Sequence, residues 1–260
     1  MTGTVPAPID FSADRVRVAR ALEALTARCL DGRDGPVFDA IRYSLAGEGK
    51  RLRAVLVMSA YRAAGGTGDV SPLAAAVEVV HAYSLVHDDL PGMDDDAMRR
   101  GRATVHVVYG VPAATAAGMI GGQLLDLEGE GRSLTLDELE RIHRLKTGAL
   151  IEASMTLGGL AARAPRALLD AFRGYGAAIG LAFQIADDVL DITATTDQLG
   201  KTAGKDVEYR KSTYPALLGV AGAKARAEAL VQEACAGLQA QGALTPELEF
   251  LARFVVARRS

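Results

Sequence analysis

Two long apolar runs in this chain of 260 residues each end in a cluster of aspartates. The first run leads into Asp88-Asp89, then Leu90-Pro91-Gly92-Met93, then Asp94-Asp95-Asp96. The second is the uncharged stretch from Gly174 to Ala186, which leads into Asp187, Asp188 and Asp191. Carboxylates this dense repel one another, and some would keep their protons unless a cation neutralised them. Hard oxygen ligands suit Mg²⁺ shared between protein and a substrate phosphate. The pattern predicts two helices, buried along their length, whose acidic ends face one site. The bland alternative for the second cluster is a solvated acidic helix end. The helix macrodipole disfavours negative charge at a C-terminus, which argues against it.

The rest of the chain also reads as helix. Alanine and leucine dominate, and no segment alternates apolar and polar well enough to predict a strand. Helices are expected near 13–30, 36–46, 51–64, 71–89, 113–128, 136–159, 165–192, 213–219, 222–240 and 246–257. Thr135 and Glu138 form a capping-box pattern. No Pro- or Ser-rich linker divides the chain and no solenoid-length repeat appears, so one all-α domain over 1–260 is expected.

Composition closes several other routes. A net charge of -3 and a pI near 5.9 give no footprint for nucleic acid. Cys29 and Cys235 have no paired spacing, so neither a disulfide framework nor a zinc knuckle is expected. The uncharged stretch from Val107 to Leu125 is broken by Pro112 and several glycines, so stable membrane insertion is not expected. The N-terminus lacks a basic region followed by an apolar core, and the expected compartment is the cytoplasm.

The helix before the first cluster carries a polar stripe. Glu78, His81, Ser84 and Asp88 follow one another at three or four residues, on one face of an otherwise apolar helix. A lone buried His81 would more often be a satisfied core contact. A stripe that runs into five aspartates predicts a cavity lining instead. Basic groups accompany it. Gly49, Lys50 and Arg53 open a helix whose N-terminus would attract phosphate. Arg99 and Arg100 follow the first cluster, Lys146 and Thr147 sit within a helix, and Lys201 and Lys211 lie beyond the second cluster. Together they supply cations for two diphosphates.

These residues resemble the trans-polyprenyl diphosphate synthases, most closely the bacterial farnesyl diphosphate synthases. The resemblance covers nearly the whole chain. It rests on Gly-Lys-Arg-Leu-Arg at 49–53, His-Ala-Tyr-Ser-Leu-Val-His-Asp-Asp-Leu-Pro at 81–91, Asp-Asp-Asp-Ala-Met-Arg-Arg-Gly at 94–101, Gly-Gly-Gln-Leu-Leu-Asp-Leu at 121–127, Lys-Thr-Gly-Ala-Leu at 146–150, Phe-Gln-Ile-Ala-Asp-Asp-Val-Leu-Asp at 183–191 and Gly-Lys at 200–201. It implies a helical bundle of the isoprenoid synthase type around a central cavity. It also implies a head-to-tail condensation of isopentenyl diphosphate with an allylic diphosphate, in which three Mg²⁺ ions assist ionisation.

By matching motif, the resemblance puts two ions on Asp88 and Asp94, supported by Asp89. It puts the third on Asp187, with Asp188 and Asp191 nearby. It assigns Arg99, Lys146 and Lys201 to the allylic diphosphate. It assigns Gly49, Lys50, Arg53, His81 and Arg100 to isopentenyl diphosphate. Thr147 and Gln184 would face the reacting carbons. The released diphosphate would accept the proton. Tyr83, five residues before Asp88, would floor the elongation pocket and hold the product to fifteen carbons.

Two departures from the family pattern stand out. Ala54 occupies the position where the family usually has proline. After Tyr109-Gly110, roughly 35 residues of the family pattern have no counterpart near 111–116, a length of helix of about 50 Å. That region carries much of the family's dimer interface, so a homodimer is expected only if the segment is present. Competing readings are a geranyl or geranylgeranyl diphosphate synthase, a non-catalytic partner subunit and a class I terpene cyclase. The cyclase would normally carry an Asn/Ser/Glu motif at the second cluster. A calcium-binding module fits poorly, because Asp94-Asp95-Asp96 lacks loop spacing.

Overall fold

The computed structural model describes residues 9–47, 49–91, 93–99, 101–117, 135–193 and 212–257. Helix α1 (Ser12–Leu30) is followed by α2 (Pro36–Leu45), α3 (Leu52–Ala63) and α4 (Ser71–Asp88). A two-stranded ribbon, β1 (Met98–Arg99) and β2 (Arg102–Ala103), then leads to α5 (Val105–Tyr109) and α6 (Val111–Ala117). After residues 118–134, α7 (Leu136–His143) runs through a π-helical turn at Arg144–Gly148 into α8 (Ala149–Ala161). Next come α9 (Arg166–Thr193), α10 (Tyr214–Ala240) and α11 (Pro246–Ala257).

The fold class is all-α, as the sequence predicts, and the helix at 246–257 has the expected bounds. Three local differences stand out: the π turn, the ribbon and the short α5. The expected helix 136–159 is divided by the π turn. The two helices expected at 213–219 and 222–240 are found, because the helical backbone of α10 is broken at Gly219, whose φ of 70° and ψ of 161° are not helical. The ribbon was not expected. It forms because Gly101, at φ 72°, closes a tight turn between two-residue strands too short to show alternation. Helix α5 is five residues long, too short to show a period. Of the helix expected at 113–128, residues from 118 onward lie outside the described set, as does the motif at 121–127.

Packing runs from α4 to α3, from α3 to α8, from α8 to α9, and from α9 to α10. The largest core joins Phe172, Tyr175, Ile179, Leu181 and Ile185 of α9 to Ile151 and Met155 of α8, Leu230 and Val231 of α10, and Leu248 and Leu251 of α11. A second core sets Val18 and Leu22 of α1 against Val57 and Met58 of α3 and Ala74, Ala75 and Val77 of α4. All residues from Ala54 to Ala60 are buried, so α3 is apolar around its circumference, as a helix enclosed by others must be. Glycines permit the close crossings. A Cβ on Gly158 would strike the carbonyl oxygen of Val57 in α3. A Cβ on Gly176 would lie 2.6 Å from the Cα of Glu152, and one on Gly180 2.7 Å from the Cα of Gly148. Among the described residues no helix is long and apolar enough to cross a membrane.

Candidate active site

The first aspartate cluster is shaped by a chain reversal. Helix α4 ends at Asp88, and the backbone then turns so that the Asp94 amide donates to the Asp88 carbonyl oxygen at 2.9 Å. Six residues of separation thus become adjacency, and the two expected metal donors share one corner. Asp95 sits beyond them at φ 46°, a left-handed backbone that aspartate tolerates better than most residues. Asp89 points away from water, at 4% exposure, and accepts from Arg99 Nε at 2.6 Å. Arg99 also lies 3.8 Å from Asp96. Burial pushes the Asp89 carboxyl above its ordinary range, and the opposing pull of Arg99 does not cancel it. The β ribbon is what turns Arg99 back onto the cluster.

The second cluster lies on α9. Asp187 is partly exposed, while Asp188 and Asp191 are buried. Asp188 Oδ2 accepts from the Tyr214 backbone amide at 3.0 Å and faces His143 Nε2 at 3.2 Å. Four residues earlier on α9, Gln184 Oε1 accepts from Thr147 Oγ1 at 2.5 Å. Thr147 lies in the π turn, and so does Lys146, whose side chain is outside the described set. A π turn inserts an extra residue into a helix and is frequent at functional sites.

The cationic side starts at the N-terminus of α3. Arg51, at φ 50°, precedes the helix and donates to the Gly47 carbonyl at 2.7 Å. Arg53 Nη1 meets His81 Nε2 at 3.1 Å. Arginine cannot accept, so this contact makes Nε2 the acceptor on His81. The seven residues from His81 to Asp88 span about 10 Å of helix, which separates this pair from the first cluster by roughly one diphosphate's reach. Lys50 Nζ lies 5.7 Å from the Phe254 ring, against α11. Gly49 is described and partly buried.

Glu78 changes the expectation for this helix end. It is 2% exposed, its Oε1 accepts from the Ala54 amide at 3.1 Å and its Oε2 faces Arg51 at 3.4 Å. One amide of the α3 N-terminus is therefore already taken by a carboxylate, and attraction of an anion there falls to the cationic side chains. The stripe position of Glu78 was legible in sequence, but its role as a cap was not.

Of the expected site residues, the structure brings together Asp88 with Asp94, Asp89 with Arg99, Arg53 with His81, and Thr147 with Gln184. Asp89 and Asp188, expected among the metal donors, are each engaged by protein partners. Tyr83 is partly buried on α4. Arg100, Lys201 and Lys211 lie outside the described residues. His143, Tyr214 and Glu140 were missed. The signal was a matched spacing: 143 and 147 are four apart, as are 184 and 188, so antiparallel helices align both pairs.

The close α8–α9 crossing makes the site sensitive to one methyl group or more. Gly180→Val pushes α9 from the π turn, and overpacking of this kind costs about 1–3 kcal/mol. The thermal midpoint is expected to fall by roughly 2–10 °C, and turnover should fall with it as Thr147 and Gln184 separate. A variant that melts with wild type would show that the crossing tolerates the bulk.

Among the described residues no three His, Cys, Asp or Glu side chains converge to hold an ion unaided. Any cation at these carboxylates would complete its shell with water or substrate oxygens. That fits Mg²⁺, which is commonly held by one or two carboxylates plus phosphate.

A family model for polyprenyl synthetases matches residues 36–121 and 115–244. A farnesyl diphosphate synthase from Escherichia coli (strain K12) is 41% identical, covering 86% of this chain and 89% of that protein over 267 aligned positions. A geranylgeranyl diphosphate synthase from Cyanophora paradoxa is 42% identical, covering 76% and 79%. Among solved structures, a polyprenyl synthase from Caulobacter crescentus CB15, complexed with calcium and isoprenyl diphosphate, superposes with a TM-score of 0.85 at 26% identity, covering 96% of each chain.

Proposed function

The chain belongs to the polyprenyl synthetase family and is a prenyltransferase, and on that premise we propose that it condenses isopentenyl diphosphate with dimethylallyl or geranyl diphosphate to give farnesyl diphosphate. The observation that carries the site assignment is the reversal that sets Asp94 against Asp88. It gathers hard oxygen donors at the end of α4, as a cation shared with a diphosphate requires.

Asp88 and Asp94 would hold two Mg²⁺ ions and Asp187 the third, with Asp191 nearby. Bound magnesium supplies Lewis-acid pull on the leaving diphosphate. Arg99 anchors Asp89 and adds positive charge beside the leaving group. Lys146 and Lys201 bind the same diphosphate. Arg53, His81, Lys50 and Arg100, with the Gly49 backbone, hold isopentenyl diphosphate about two helical turns away. The Thr147 hydroxyl and the Gln184 carbonyl line the reaction path with partial negative charge, where the allylic cation develops. The proton lost after C–C bond formation passes to the released diphosphate.

The chain is read as one domain in which the family segment after Gly110 is absent. Support comes from the alignment with the E. coli relative: 86% of 260 residues is about 224, spread over 267 positions, which leaves roughly 40 positions without a residue of this chain. The family match in two pieces that meet at 115–121 agrees.

The test is product analysis by chromatography, with labelled isopentenyl diphosphate, each allylic substrate and Mg²⁺. Farnesyl diphosphate as the main product is expected. A twenty-carbon product would overturn the chain-length assignment, and no product would overturn the substrate assignment.

A further inference from the structure

We propose that His143, Tyr214 and Asp188 are positioning residues that set the rotation of α9, so that Asp187, and not Asp188, is presented to the cation and diphosphate. The inference rests on the prenyltransferase site described above and deepens it.

Three contacts converge on Asp188. Its Oδ2 atom accepts from the Tyr214 amide at 3.0 Å and lies 3.2 Å from His143 Nε2. Asp188 and His143 are 6% and 7% exposed, so both contacts are shielded from water. An ionised carboxylate only accepts, so Nε2 carries a proton. The His143 and Tyr214 rings stack, with centroids 5.8 Å apart and planes at 17°. Tyr214 is held at its other end by Glu140, whose Oε1 accepts from the phenol at 2.6 Å. Burial opposes the charge on Glu140, but the hydrogen bonds from Tyr214 and Arg144, with the charge of Arg226, hold its carboxyl below the ordinary range.

These contacts join three segments: α7, the acidic turn of α9 and the start of α10. The amide that Asp188 accepts from belongs to the first residue of α10, one of the donors that a helix start leaves without a partner inside the helix. A second tie, Thr147 to Gln184, lies one turn along the same pair of helices. Two ties one turn apart fix both the height and the rotation of α9. Consecutive residues of a helix point about 100° apart, so with Asp188 turned to His143, Asp187 points well away from it, and Asp191 falls between the two, about 40° from Asp187 and about 60° from Asp188.

Both partners of Asp188 use one oxygen, which gives a clean test. Asn at 188 keeps an oxygen with two lone pairs at that position. Asp188→Asn is expected to lose no more than about tenfold in turnover, whereas Asp187→Asn loses well over a hundredfold. His143→Leu removes the donor and is expected to raise the half-activating Mg²⁺ concentration by roughly tenfold, as loss of a group behind a metal ligand does. Its KM for isopentenyl diphosphate should hold, and His143→Gln should restore most of the Mg²⁺ response. Equal losses in Asp188→Asn and Asp187→Asn would make Asp188 a metal donor and overturn the proposal. A lower melting temperature in His143→Leu with unchanged Mg²⁺ activation would overturn it too.

Failure of the prenyltransferase assignment is read separately, through thermal stabilisation by Mg²⁺ with inorganic diphosphate. If wild type forms no prenyl product yet is stabilised, Asp188→Asn should keep that stabilisation and Asp187→Asn should lose it. No stabilisation of wild type would overturn the proposal as well.

Discussion

Asp88→Ala is expected to lower turnover by about a thousandfold or more at saturating Mg²⁺, and Asp187→Ala by a similar factor. The two residues belong to different helices and neither can stand in for the other. Stabilising the charge that develops on a leaving diphosphate is worth several kcal/mol, and every 1.36 kcal/mol is tenfold in rate. A loss of about 4 kcal/mol therefore gives three orders of magnitude. Asp88 and Asp187 are each partly exposed, so truncation leaves no large cavity. Melting temperatures should stay within a few degrees of wild type, which separates lost chemistry from lost fold. Steady-state rates with labelled isopentenyl diphosphate decide the matter: a variant within tenfold of wild type would remove that residue from the metal assignment.

Tyr83→Ala is expected to shift the main product from fifteen carbons to twenty or longer, with ionisation retained. Tyr83 and Asp88 lie on the same helix, five residues apart, so the ring sits roughly 7–8 Å below the metal ligands along the axis. On the proposed site, an allylic chain anchored by its diphosphate at Asp88 would grow down this helix. A phenol ring would stop it, and a methyl group would not. Each added isoprene unit buries more apolar surface, at about 25 cal/mol per Å², so an opened pocket favours the longer chain once sterics allow it. Chromatography of the dephosphorylated products reads the result directly. An unchanged distribution would mean that the pocket floor lies elsewhere.

Most of the helical framework was legible because α4, α9 and α11 announce themselves through long apolar periodicity. The paired residues Asp88 and Asp94, Arg53 and His81, and Thr147 and Gln184 were legible as parts of motifs. The π turn was not. Arg144 to Gly148 contains no proline, and i→i+5 pairing is imposed by the partners of His143 and Thr147 on α9. The cap on α3 was hidden for a similar reason. Glu78 looks like one more position on a polar stripe until α3 and α4 are side by side. Tertiary contacts decide such cases, and local pattern carries no trace of them. The break at Gly219 is different, because the sequence already divided this stretch into two helices at that position.

The hydrogen bond between Ala54 and Glu78 also bears on protein engineering. Replacing an unusual residue by the one its relatives carry is a common route to stabilisation. Here that route would prescribe Ala54→Pro. Proline has no N–H to offer the buried carboxylate and would press a ring carbon toward it. Losing the partner of a buried charged group costs about 1.5–3 kcal/mol. The substitution is thus expected to lower the melting temperature by several degrees, which a simple thermal scan would register; a rise would mean that Arg51 alone satisfies Glu78. In this chain the Ala54 amide and the Glu78 carboxylate work as a pair, and a design that changes one must reconsider the other.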